Sequence, residues 1–207
     1  MKEIRSVCVF CGSSAGSQEL YSQKAHDLGL LFVKKGITLV YGGSNIGIMR
    51  VIADTMLQSG GKVIGVMPHT LIDREVAHKD LTEFHVVATM AERKTMMGEL
   101  SDAFIAMPGG IGTLDELFET MSWNQLEIMD KPVAVFNIDH YYDHLLAFME
   151  HSVDQRFVKP EHFRNLIVEE DESLLLEKMY NYSPLKVDGG KWIEELKVVT
   201  DSRLENI

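Results

Sequence analysis

At 207 residues, with 45% hydrophobic and 25% charged side chains, the chain has the size and composition of one globular domain. Such a chain buries about 70% of its unfolded surface without disulfide or metal staples. A formal charge of −11 and a pI near 5.1 exclude a nucleic-acid backbone or an anionic membrane as the main partner, because both are repelled by an acidic surface. No apolar run reaches membrane-span length and the first residues lack the apolar core of a signal peptide, so a cytosolic protein is expected.

Residues 4–11 are apolar and β-branched and end in Gly12-Ser13-Ser14-Ala15-Gly16-Ser17, which reads as a first strand and a small-residue loop. Cys8 and Cys11 stand three apart, on opposite faces of an extended strand, and no second cysteine pair completes a zinc site. They read as buried, reduced thiols. Ser13 and Ser14 serve equally as turn residues or as ligand contacts at the strand's carboxyl end. Ser17 is the expected N-cap of a helix over 18–35, with Leu20, Ala25, Leu28, Leu31 and Phe32 facing inward and Gly36 ending it.

A second strand over 37–41 runs into Gly42-Gly43-Ser44-Asn45-Ile46-Gly47 and a helix that reaches Leu57. Strand, glycine turn and helix start together make Gly42 and Gly43 candidates for contact with a phosphate. A third strand over 62–67 is stopped by Pro68, and residues 69–83 form a long polar segment of the kind that often carries function. A fourth strand over 84–88 leads to Met90-Ala91-Glu92-Arg93-Lys94. Arg93 and Lys94 are read as opening a helix, where a cation is unfavourable unless it faces an anion.

The run 103–106 reads as a buried strand, and Met107-Pro108-Gly109-Gly110-Ile111-Gly112-Thr113-Leu114-Asp115-Glu116 follows it. Three glycines let backbone N–H groups approach a ligand, the helix N-terminus adds partial positive charge, and Thr113 offers a hydroxyl. Asp115 and Glu116 are expected in the first helical turn, either complementing the dipole or reaching the sugar beside a bound phosphate. Met90 and Met107 flank this motif as candidate walls of a base pocket. Beyond it come the rest of the helix to Leu126, a strand over 133–137, a helix over 142–153, a last strand over 163–168 and a helix capped by Asp171. His140 and His144 have a spacing a metal could use, but no third ligand accompanies them, so no metal and no cofactor are expected. Residues 1–180 are assigned to a nucleotide-binding domain and 181–207 to a tail with a docking helix over 192–196.

Uniformly apolar strands alternating with amphipathic helices specify an α/β fold: a single-domain, doubly wound, Rossmann-like parallel sheet with helices on both faces. Its ligand edge is the carboxyl end of the strands. The chain has no G-x-G-x-x-G and no P-loop lysine.

With Met90-Ala91-Glu92-Arg93-Lys94 and Pro108-Gly109-Gly110-Ile111-Gly112-Thr113-Leu114-Asp115-Glu116 on the page, together with Cys11-Gly12-Ser13-Ser14 and Tyr41-Gly42-Gly43, the chain resembles the LOG family. These are cytokinin riboside 5′-monophosphate phosphoribohydrolases, formerly labelled possible lysine decarboxylases, and the resemblance spans about residues 4–177. It implies cleavage of N6-substituted AMP, or AMP, to free base and ribose 5-phosphate, with Arg93 and Glu116 as the catalytic pair. It also implies substrate contacts at Glu75, Lys94, Gly109, Gly110, Ile111, Gly112, Thr113, Leu114, Asp115 and Ser122, and a homodimer with the site near the subunit interface. Arg93 then serves the departing base, the phosphate or the orientation of Glu116. Two other readings stand beside this one: a nucleotide-binding module without turnover, and a pyridoxal-dependent decarboxylase built on Lys94.

Overall fold

The computed structural model describes residues 3–72 and 76–186, together with 194, 197 and 198. Its centre is a seven-stranded, wholly parallel sheet of β1 (Ser6–Phe10), β2 (Thr38–Tyr41), β3 (Val63–Pro68), β4 (Glu83–Val87), β5 (Ala103–Ala106), β6 (Val133–Phe136) and β7 (Leu166–Glu169). The spatial order is β4-β3-β2-β1-β5-β6-β7. In register, Cys8 lies between Val40 of β2 and Phe104 of β5. The helices are α1 (Glu19–Lys35), α2 (Gly47–Gln58), α3 (Met90–Glu99), α4 (Ile111–Gln125), α5 (Asp143–Asp154), α6 (Pro160–Arg164) and α7 (Glu172–Tyr180). The expected doubly wound sheet is what the chain forms.

Period-two alternation splits each inner strand between two cores. Val7, Val9 and Cys11, with Leu39, Ile105 and Phe136, pack under α1, α2 and α7. Cys8 and Phe10, with Val40, Phe104 and Val135, pack under α3, α4 and α5. The two free cysteines thus lie buried on opposite faces. The chain winds outward from β1 to β4 and then returns to β5 on β1's other side, so the strand order reverses between β1 and β5. That reversal opens a crevice at the carboxyl edge, where the loops after β1, β2 and β5 converge.

Several elements differ from the reading above, each for a local reason. Helix α1 is capped at Gln18, not Ser17, without a side-chain capping bond. Its buried stripe is Tyr21, Ala25, Leu28 and Phe32, whose spacing keeps one face inward, whereas Leu20 lies off that face and is exposed. The residues 160–164 form a short helix with Pro160 at its first turn, a position where the missing N–H costs nothing, so the last strand starts only at Leu166. Asp171 caps α7 as expected, accepting from the N–H groups of Ser173 and Leu174 at 2.9 Å. The expected docking helix over 192–196 lies outside the described residues apart from Glu194. Among the described residues no helix is long and apolar enough to cross a membrane.

Candidate active site

Two sequence-level placements shift by one helical turn, and the shift builds the site. Thr89 caps α3, its hydroxyl accepting from Glu92 N–H at 3.1 Å, while the Glu92 carboxylate accepts from Ala88 N–H at 2.8 Å. This reciprocal cap starts the helix at Met90, so Arg93 and Lys94 stand one turn inside it and do not open it. Likewise α4 begins at Ile111, which moves Asp115 and Glu116 into the second turn. Arg93 is thereby 6% exposed and Glu116 9% exposed, and the two face each other across the crevice with Nη1 and Oε1 3.9 Å apart.

Arg93 is oriented by the protein on three sides. Its Nε–H donates to the Val66 carbonyl at 3.1 Å, and Nη1 lies 3.9 Å from the Met90 sulfur. Its Nη2 occupies the space that a Cβ at Gly42 would fill. The Gly42-Gly43 turn therefore has an internal reason to be glycine, independent of any phosphate. Gly42 seats the guanidinium, and Gly43, at φ +79°, lies against the Phe84 ring. Exposed Met90 borders the site, whereas Met107 is fully buried in the core. The Cys8 and Cys11 thiols beneath are pushed up by burial first and by the Glu116 charge second, which keeps them protonated and unreactive.

The glycine loop after β5 is a different object. A Cβ at Gly109 would overlap the Thr113 hydroxyl and approach Gly12 N, so Gly109 is a packing glycine and the Thr113 side chain is buried beneath it. Gly110 and Gly112 are the reverse: of the described glycines, they alone combine an ordinary φ with open space where a Cβ would go. Among the described residues nothing requires glycine there. The first intrahelical bond of α4 runs from Leu114 N–H to Gly110 O at 3.1 Å, so the amides of Ile111, Gly112 and Thr113 precede the helical ladder. Ile111 is 87% exposed, whereas Leu114 packs half-buried against the core.

The other candidates divide. Lys94 is clasped to α4, with Asp115 at 3.2 Å and Glu119 at 3.0 Å. Burial opposes its charge, but the Glu119 and Asp115 hydrogen bonds outweigh it and hold the ammonium above its ordinary range. Ser13 is exposed at the rim, its backbone filling the space beside Gly47. Ser122 is not brought to this cluster. Its hydroxyl donates to the Phe118 carbonyl, and it lines a separate cavity of about 280 Å³ with Met121, Phe148 and Leu166. Glu75 lies outside the described residues. His140 and His144 bring together no metal site, since no group of three or more metal-ligating side chains occurs among the described residues.

Sequence reading missed the residues that hold the loops. Tyr142 Oη–H donates to Met107 O at 2.6 Å and Tyr141 Oη–H to Gly109 O at 2.7 Å, both from the turn between β6 and α5. Gly12 N–H donates to Pro108 O at 3.1 Å, and Ile48 N–H to Gly12 O at 3.2 Å, knitting three loops at one edge. Buried His78 donates from Nε2–H to the Asp54 carboxylate at 2.9 Å while its backbone N–H donates to Gly43 O at 2.9 Å, pinning the far side of the Gly42 turn. The paired tyrosines at a strand end were a visible signal, overshadowed by the histidines around them.

Comparison with known proteins agrees with this arrangement. The family described as "Possible lysine decarboxylase" matches residues 49–179, which include α3, the glycine loop and α4. Cytokinin riboside 5′-monophosphate phosphoribohydrolase LOG5 of Arabidopsis thaliana is 43% identical over 198 residues, 94% of this chain and 86% of its own length. A probable cytokinin riboside 5′-monophosphate phosphoribohydrolase of Oryza sativa subsp. japonica, LOGL6, is 44% identical over 87% of this chain and 72% of its own length. In fold, the molybdenum cofactor binding protein of Rippkaea orientalis superposes with a TM-score of 0.64 at 21% identity, covering 87% of this chain and 98% of that one. On the family match and the 43% identity across nearly the whole length, the chain belongs to the LOG family, the one described as possible lysine decarboxylase.

Proposed function

We propose that the protein hydrolyses the N-glycosidic bond of purine nucleoside 5′-monophosphates, N6-substituted AMP such as isopentenyl-AMP and AMP itself, releasing free base and ribose 5-phosphate. The observation that carries this reading is the buried Arg93–Glu116 pair, one turn behind a glycine loop whose Gly110 and Gly112 face open space. The names of relatives at 43–44% identity point to the same reaction. In this reading the amides at the start of α4 receive the 5′-phosphate, as helix N-termini receive anions. Glu116 then lies beside C1′, where a carboxylate stabilises the oxocarbenium-like centre or takes a proton from the attacking water as the C1′–N9 bond breaks. Arg93 holds that carboxylate and adds positive charge where the departing purine gains negative charge. Glu75 remains a proposed substrate contact.

The decarboxylase reading needs a neutral lysine to carry pyridoxal, and Lys94 does not fit, because two carboxylates hold it as an ammonium. We further propose a cytosolic homodimer with the nucleotide as its small-molecule partner. Exposed Ile111, Leu126, Ile128 and Phe148 on and beside α4 and α5 support a second copy as the cover, and light scattering at twice the 23.4 kDa chain mass is the expected result.

The test of the reaction is incubation with AMP and isopentenyl-AMP, followed by detection of free base. Glu116→Gln is expected to lower base release by about a hundredfold or more while nucleotide binding persists. Full turnover in that variant would remove Glu116 from the chemistry. Binding without base release by the wild-type protein would leave the non-catalytic module.

A further inference from the structure

An anion seat made of backbone has to point N–H groups at the ligand and carbonyl oxygens away from it. In the glycine loop four successive carbonyls are each engaged from within the protein. Met107 O accepts from Tyr142 Oη–H, Pro108 O from Gly12 N–H, Gly109 O from Tyr141 Oη–H and Gly110 O from Leu114 N–H. A trans peptide is planar, with its C=O and the next residue's N–H antiparallel. The donor that holds a carbonyl inward therefore turns the following amide outward. Gly12 does this for the Gly109 amide and Tyr141 for the Gly110 amide. Tyr142 holds the plane ahead of Pro108, which has no N–H to present.

The placement of Tyr141 is costly for the backbone. Asp139 and His140, immediately before it, are consecutive non-glycine residues at φ +50° and +59°, in the left-handed region that β-carbons disfavour. The strained turn is held at both ends. Buried Asn137 accepts from Tyr142 N–H at 2.7 Å and donates to Asp143 at 2.8 Å. Asp139 accepts from Gln18 Nε2–H at 3.0 Å. Tyr141 itself is wedged edge-on between Tyr21, at 5.9 Å between centroids, and Tyr142, at 4.9 Å. Strain that persists because its surroundings over-determine it is a mark of function, and here it delivers one hydroxyl to Gly109 O.

We infer that Tyr141 is a positioning residue for phosphate recognition: its hydroxyl sets the Gly109–Gly110 peptide so that the Gly110 amide faces the 5′-phosphate of the substrate. This rests on the proposed nucleotide reading and assigns a role to a residue outside the motifs that suggested it. Without the hydroxyl, the peptide is free to rotate and bring its carbonyl oxygen toward the anion.

The experiment uses Tyr141→Phe, which keeps the ring and its packing and removes one oxygen, with Tyr142→Phe as the comparison. Affinity for ribose 5-phosphate by calorimetry is expected to fall about tenfold in Tyr141→Phe, with KM for AMP rising in parallel and kcat changing less than about threefold. Affinity for adenosine, which lacks the phosphate, stays at the wild-type value. The amide resonance of Gly110 should shift on addition of ribose 5-phosphate in the wild type and much less in Tyr141→Phe. Tyr142→Phe is expected to lower the melting temperature and leave the AMP-to-adenosine affinity ratio near the wild-type value. Equal losses for AMP and adenosine in Tyr141→Phe, or no loss for either, would overturn the inference. A wild-type protein that binds ribose 5-phosphate but releases no base overturns the hydrolase reading and leaves this one standing; one that turns over with Tyr141→Phe unaltered does the reverse. Wild-type protein that releases base but does not bind ribose 5-phosphate overturns this inference and leaves the hydrolase reading standing.

Discussion

Arg93 shows how a single residue position depends on what its neighbours lack. Its guanidinium fits only because Gly42 has no side chain, and its Nε–H is committed to Val66 O. Gly42→Ala should therefore push the guanidinium away from Glu116, with an over-packing cost of about 1–3 kcal/mol in denaturant titration and a loss of base release of more than about tenfold. Arg93→Lys is expected to fail as well, since the donors of an ammonium all sit on one nitrogen and lack the planar fork with which Nε holds Val66 O while Nη1 faces Glu116. Wild-type kinetics in either variant would show that the seat is not needed. Sequence alone singled out Arg93 and Gly42 separately, as a misplaced cation and a turn glycine. That one exists for the other follows from a contact between residues 51 positions apart, which no local pattern encodes.

At the scale of elements, the helix starts decide which side chains reach the crevice. Thr89 and Glu92 begin α3 early, the glycine loop begins α4 early, and each change carries a charged residue from the helix mouth to a buried wall. Cap chemistry of this kind is readable in sequence, but choosing between adjacent starts needs the packing of the following turns. The turn between β6 and α5 was the least legible element, because a His-Tyr-Tyr run gives no sign that its backbone turns left-handed. His140 has exposed ion-pair partners in Asp143 and Glu170, which contribute little, while its φ of +59° costs about 1 kcal/mol or more. His140→Gly is accordingly expected to stabilise the protein by about 0.5–1 kcal/mol, raising the melting temperature by roughly 2–3 °C. Ribose 5-phosphate affinity should be unchanged, because glycine adopts the same turn. A lower melting temperature would mean that the imidazole contacts matter more than the backbone.

Across the whole molecule, the sheet brings distant segments to one edge and then ties them together. Asp54 on α2 is held by His78 at 2.9 Å and Arg50 at 3.1 Å. Burial raises its pKa, but those hydrogen bonds prevail and leave it below the ordinary aspartate value of about 4. A depressed folded pKa gives stability that is present above the unfolded value and lost as pH falls through the folded one. Asp54→Asn should therefore melt lower than wild type at neutral pH, with the difference narrowing from about pH 5 downward as the wild-type carboxylate protonates. A gap that stays constant over that range would remove Asp54 from the acid response. What the sequence determined by itself was the alternation of apolar strands and amphipathic helices, the carboxyl edge as the ligand side, and the two motifs that carry the family resemblance, because periodicity and turn chemistry are local. Only the tertiary structure decided that Gly42 makes room for Arg93 while Gly110 and Gly112 face open space, and that Tyr141 turns the loop. Each of those is a contact between chain segments that are far apart in sequence and meet only after the sheet has assembled.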